Sequence, residues 1–338
     1  LPTPVDEPLV SEETSNQFTE SLPVSDEVVN KEVKILVFDP VLSDSRKTVS
    51  QYYGWNDSLD LAVEAMNWIR DTTGGRVVYN IVDEIEREDG EKAFLEKEDG
   101  FLYNEDSLVR CLDSLYPEPR NCHEPDEVNY KAIIDEYNLC EDFNQGKFDE
   151  VWMFGYPYAG FYESRLAGNG AFWYNSPPLE GTSCNGLMPI MGFNYERDLP
   201  EMVESISHRA ESTMEHVYGG WEQNRQAHNW DKFGLNKALS PDFSYSGCGS
   251  VHYPPNGVDD YDYTNRDFVD STCTSFSLNY PNTENLPTEK INCQAWDCTQ
   301  EGYFRWWYRN MPRYEGVGPD GKLNDWWSYI FDVNQLSE

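Results

Sequence analysis

The sequence predicts an α/β fold: a mixed, mostly parallel sheet with flanking helices, followed by a loop-rich, disulfide-held C-terminal region. Two observations carry the first half. Short apolar runs rich in β-branched residues alternate with stretches of helical period, and glycines close several of those stretches. A change of texture carries the second. Beyond residue 220 Gly, Pro, Asn, Asp and Tyr dominate, and four of the eight cysteines lie there. The chain of 338 residues therefore divides into an arm over 1–31, an α/β core over 32–220 and an aromatic, loop-rich region over 221–338 packed on that core.

Residues 1–31 are rich in Pro, Ser, Thr and Glu, show no period, and read as an extended acidic arm or linker. The opening Leu1-Pro-Thr-Pro4 has neither a basic stretch nor an apolar one, so it reads as an already processed N-terminus. Val33–Phe38 is a buried strand. Asp57 offers an N-cap, Leu59, Ala62, Val63, Met66 and Ile69 recur at helical spacing, and Gly74-Gly75 ends that helix. Residues 76–82 form a second strand, which completes a βαβ unit. Tyr130–Phe143 reads as a helix, Glu150–Gly155 as a strand, and Leu187–Phe193 as another, whose Pro189 suggests an edge or a bulge. A long helix spans 199–218. Asn229–Phe233 and Gln300–Tyr308 read as short helices in the loop-rich part.

Charge and composition exclude several functions. With 25 Lys and Arg against 61 Asp and Glu, the net charge of −36 repels phosphate backbones and anionic membrane surfaces. No apolar run approaches the roughly 18 residues of a membrane span. Eight cysteines with no C-x₂-C pair suit four disulfides and an oxidising, extracellular compartment, with Cys111–Cys122 and Cys293–Cys298 suggested by closeness. The charge also fits a saline habitat or calcium as counter-ion. The sequence contains no G-x-S-x-G, H-E-x-x-H or P-loop motif, and no G-x-G-x-x-G after a strand.

Ligands of open α/β sheets sit beyond the carboxyl ends of the strands, which singles out three segments. Tyr156–Arg165 offers Glu163 and Arg165 among aromatics, with Tyr158 as a binding group. Asn194-Tyr-Glu-Arg197 offers Glu196 and Asn194. Asp39 follows the first strand. Glu163 and Glu196 are the candidate acid and base, or nucleophile. The plain alternative makes Glu163–Arg165 and Glu196–Arg197 ion pairs that tie loops.

On the long helix, Met202, Val203, Ile206, Ala210, Thr213 and Val217 form one stripe. Glu204, His208, Glu211 and Glu215 form a second, about 150° away. His208-x-x-Glu211 can grip one ion, with His252 as a distant third ligand, so His208, Glu211 and His252 are the candidate metal ligands and catalytic partners. Against that stands a solvated helix face. The dense acidic loop Asp259, Asp260, Asp262 and Asp267 suggests calcium. Zinc and calcium are thus both open as cofactors. Trp296, Trp306-Trp307, Trp326-Trp327 and Tyr329 serve either as core or as sugar-stacking rings, with Trp306 a candidate substrate contact.

Asp149-Glu-Val-Trp-Met-Phe-Gly155, Phe161-Tyr-Glu-Ser-Arg-Leu-Ala-Gly168, Gly192-Phe-Asn-Tyr-Glu-Arg197 and Ser207-His-Arg-Ala-Glu-Ser212 resemble a family of secreted bacterial proteins often found beside adhesion-type or glycan-binding modules. The resemblance runs from about residue 33 to 330. It implies an extracellular, bacterial setting and transfers no activity. The expected function is an extracellular hydrolase of a polymer, glycan rather than peptide, with metal assistance. The alternatives are a surface, filament or matrix subunit assembling through its arm, and a glycan-binding module.

Overall fold

The computed structural model describes residues 22–88, 93–115, 121–222 and 225–337. Strand β1, Val29–Phe38, is buried from Val33 onward. Thr48 and Gln51 form a capping box for α1, Val49–Tyr53. Asp57 caps α2, Ser58–Thr72, by accepting from the backbone N–H groups of Leu59 and Asp60. That helix buries Leu61, Ala62, Ala65, Met66, Trp68 and Ile69. Strand β2, Val77–Arg87, returns parallel to β1 and completes the expected βαβ unit. It runs five residues past the expected end because Asp83, Glu84, Glu86 and Arg87, on this edge strand, are charged and leave Ile85 as a lone apolar residue, which gives no apolar run.

Helix α3, Glu105–Leu112, is tied back by Cys111–Cys122. The single helix expected over 130–143 is two: α4, Tyr130–Glu136, and α5, Leu139–Asn144. Asn138 lies between them in the left-handed region at φ 51°, which a helix interior does not accommodate. Strands β3, Glu150–Gly155, β4, Ser164–Ala167, and β5, Met188–Asn194, complete a sheet of order β2-β1-β3-β5-β4. Only β4 is antiparallel, and it takes up the end of the segment expected to be loop. Pro189 sits inside the sheet. Pairing with β3 begins at Ile190, so Pro189 faces a partner, Leu166, on one side alone.

Helix α6, Leu199–Tyr218, has the expected bounds and ends at Gly219 in the left-handed conformation. Its apolar stripe is buried against the sheet and the helices around it. The loop-rich region follows with α7, Asn229–Gly234; β6, Val269–Ser271; α8, Cys273–Asn279; β7, Glu289–Ile291; α9, Gln300–Arg309; β8, Arg313–Val317; β9, Leu323–Asp325; and α10, Trp326–Phe331. Trp230, Trp296, Trp307, Trp326 and Trp327 are buried in the same cluster as Val33, Ile35, Val151 and Ile190. The region from 221 onward therefore shares one core with the α/β part. Four disulfides join Cys111–Cys122, Cys140–Cys184, Cys248–Cys273 and Cys293–Cys298.

The expected arm ends early, since β1 starts at Val29. Its described part docks on the chain's own C-terminal hairpin: Ser25 N–H donates to Arg313 O (3.0 Å) and Glu315 N–H to Pro23 O (3.0 Å). Residues 1–21 of the arm lie outside the described residues. Among the described residues, no helix is long and apolar enough to cross a membrane.

Candidate functional site

The second stripe of α6 is covered from Glu204 to Glu211, and only Glu215 at its end is exposed. Glu204, His208 and Glu211 retain only 11%, 15% and 13% of their side-chain surface. The segment 248–263 and α9 cover them, which periodicity alone cannot reveal. That segment is held rigidly. Tyr303 Oη donates to the carbonyls of Cys248 and Ser250, Trp307 Nε1 to Gly249 O, and Tyr263 Oη to Val251 O, while Cys248–Cys273 pins its start. Gly249 has φ +82°, and a Cβ there would stand 2.4 Å from Tyr253 O.

This cover carries His252 onto the helix. His208 Nε2 and His252 Nε2 are 3.0 Å apart, and Glu204 Oε1 lies 3.3 Å from the second and 3.9 Å from the first. The point equidistant from three atoms so spaced is about 2.0 Å from each, the length of a zinc–nitrogen or zinc–oxygen bond. Among the described residues this is the one group of three or more whose ligand atoms converge enough to hold a metal ion. Glu204, one turn before His208, therefore takes the position expected of Glu211. Glu211 binds the far side of the ring, with Oε2 3.2 Å from His208 Nδ1 and Oε1 accepting from Val251 N–H at 2.7 Å. Asp260 Oδ1 lies 3.1 Å from His252 Nδ1. The carboxylate of Asp262 accepts from Val258 N–H and Asn265 Nδ2 within the acidic loop.

Glu163 Oε2 reaches within 3.9 Å of His208 Nε2 and accepts from Asn175 Nδ2. Partial burial pushes the Glu163 carboxyl above the ordinary range, against the pull of the His208 charge and with the help of Glu204. Burial opposes charge on His208, yet Glu211, Glu163 and Glu204 together hold it above the usual imidazole value. For Glu204, burial acts upward and is outweighed by His252 and His208, which hold it low. Tyr261 Oη is 3.2 Å from His252 Nε2, and burial with the Glu204 charge pushes its pKa up to about 12.

The group separates two hollows. One, of about 580 Å³, lies beyond the carboxyl ends of β3 and β5 and includes Tyr158, Phe161, Glu163, Asn194, Glu204 and Tyr261 in its wall. The other, of about 550 Å³, opens over His208, Glu211, Trp221 and His252. Gly192 forms the floor of the first. A Cβ there would meet Tyr162 O at 2.3 Å.

The remaining expected residues fall elsewhere. Glu196 pairs with Arg197 at 3.2 Å and is not part of the wall of the first hollow. Arg165 is buried in β4, paired with Glu127, with the rings of Tyr130 and Tyr162 at 4.7 and 5.3 Å. It is not part of the wall to which Glu163 contributes. Trp306 packs on Trp296 and Tyr303 outside that wall. Asp39 accepts from Ser50 N–H (2.9 Å), Ser50 Oγ (2.6 Å) and Tyr195 Oη (3.2 Å), a pin at the end of β1. Glu204, Asp260, Tyr261 and Gln300, whose Nε2 donates to Glu204 Oε2 at 2.6 Å, were not singled out individually. The spacing of Glu204 four residues before His208 was the available signal for the first.

No family model matches the chain, and a search of curated proteins finds no relative.

Proposed function

We propose that this chain is a secreted, metal-assisted hydrolase of a polymer, a glycan rather than a peptide. The single observation behind it is the approach of Glu163 to the His208–His252–Glu204 group at the edge of an open cavity. A dication held there would polarise the scissile bond and its attacking water. Glu163 would take the proton as the water oxygen attacks and return it to the departing oxygen as the bond breaks. Tyr261 stays protonated at neutral pH and can donate to charge developing beside it. Ring faces from Tyr158, Phe161 and Tyr261, mixed with amides and carboxylates, suit a polyol better than a peptide backbone. Four disulfides and the resemblance to secreted bacterial proteins support the extracellular setting.

The test is release of reducing ends from β-glucan, xylan, mannan and chitin, with casein alongside, by the wild type, Glu163→Gln and His208→Ala. Turnover on a glycan that falls by about 10²–10⁴-fold in Glu163→Gln supports the roles given. Casein cleavage alone would overturn the glycan assignment. No turnover on any polymer would turn the reading toward a non-enzymatic binding protein.

A further inference from the structure

The two imidazoles meet in a way that defines what lies between them. A carboxylate only accepts hydrogen bonds, so Glu211 against His208 Nδ1 and Asp260 against His252 Nδ1 place a proton on each Nδ1. In the neutral rings both Nε2 atoms are then lone-pair acceptors. They face each other at 3.0 Å with the Glu204 carboxylate beside them. Acceptors at that separation repel unless a proton or a metal cation lies between them, and the convergence of Glu204 Oε1 on the same point is the arrangement that suits a metal ion. Each ring also carries the outer carboxylate that histidine ligands to metals commonly have.

From this we infer that Glu204 Oε1, His208 Nε2 and His252 Nε2 are a binding site for one first-row transition-metal dication of the zinc class, built by Glu211 and Asp260 as positioning residues. The inference rests on the proposed metal assistance and names its ion and ligands. Calcium is the wrong chemistry, since it takes six to eight oxygens and two of these three ligands are imidazole nitrogens. Glu211 acts on both rings. One oxygen orients His208, and the other holds Val251 N–H, the backbone next to His252. A glutamine has one acceptor oxygen for these two donors. It would set an N–H against Val251 or force His208 into the tautomer that points its proton into the site.

The experiment is titration of the full, disulfide-intact chain with Zn²⁺ alone, against a chromophoric chelator, for wild type, Glu211→Gln, Asp260→Asn and His208→Ala. Near-ultraviolet circular dichroism of each variant reports its fold. The expected result is one Zn²⁺ per chain, not displaced by millimolar Ca²⁺. Affinity should fall about 10–100-fold in Glu211→Gln and Asp260→Asn, and further in His208→Ala. Asp260 lies in an exposed loop, so Asp260→Asn keeps the test valid should Glu211→Gln misfold. Sub-stoichiometric zinc, displacement by Ca²⁺, or unchanged affinity in both outer-carboxylate variants would each overturn the inference. Stoichiometric zinc without cleavage of any polymer would leave this site standing and remove the hydrolase. Cleavage without zinc would do the reverse, leaving Glu163 to act without a metal.

Discussion

Arg209, the residue next to His208, donates from Nη1 to Glu150 Oε2 at 2.6 Å, and each side chain keeps only 1% of its surface exposed. Neighbouring helical residues point about 100° apart, so anchoring Arg209 on β3 fixes the rotation of α6 and turns His208 toward the 248–263 cover. Glu150 is further engaged by Trp152 Nε1, and Arg209 Nη2 by Ile330 O. Glu150→Gln leaves a buried guanidinium uncompensated and should cost about 3–5 kcal/mol in urea unfolding. A loss below about 1 kcal/mol would mean that the pair does not hold the helix.

Gly192 lets the Phe161–Glu163 segment pass directly over β5. In Gly192→Ala the new Cβ must displace Tyr162 O and Phe161 Cβ, which it would otherwise meet at 2.3 and 2.5 Å. The expected cost is about 1–3 kcal/mol, together with a shift of Glu163 that lowers any turnover. Stability measured beside activity separates the two effects, and an unchanged variant on both counts would contradict the close approach.

Lys97 is buried, with Nζ donating to Asp126 O (2.7 Å), Asp126 Oδ1 (2.8 Å) and Tyr158 O (2.6 Å). It thereby ties one wall of the larger hollow. Lys97→Met strands those acceptors and should cost about 1–3 kcal/mol. Limited proteolysis should then cut near residues 156–160 faster than in the wild type. Equal cutting rates would show that the wall is held by other contacts.

Cys248–Cys273 anchors the segment that delivers His252. Replacing both cysteines by serine should lower stability by about 2–5 kcal/mol and weaken zinc binding, since the ligand-bearing loop loses its fixed start. Zinc affinity equal to the wild type, in a folded variant, would assign the loop's rigidity to the Tyr303, Trp307 and Tyr263 hydrogen bonds alone.

Local signals in the chain were sufficient for much of the scaffold. The capped, periodic stretch from Leu199 to Gly219 defines α6 within its own length, and the β1–α2–β2 unit is legible because short buried strands and an N-capped helix each need only near neighbours in sequence. The pairings Cys111–Cys122 and Cys293–Cys298 follow from proximity along the chain. The chemistry of the site was decided elsewhere. Glu204 at i−4 and Glu211 at i+3 both share a face with His208, and helical period cannot say which one meets Nε2 and which meets Nδ1. That choice depends on where His252 lands, 44 residues away, and its position is set by a disulfide, ring hydroxyls and an indole from distant elements. The tertiary structure also covers most of a polar stripe whose period reads as a solvated face, from Glu204 to Glu211. Burial depends on what packs over a surface, and that partner is not written into the surface's own sequence.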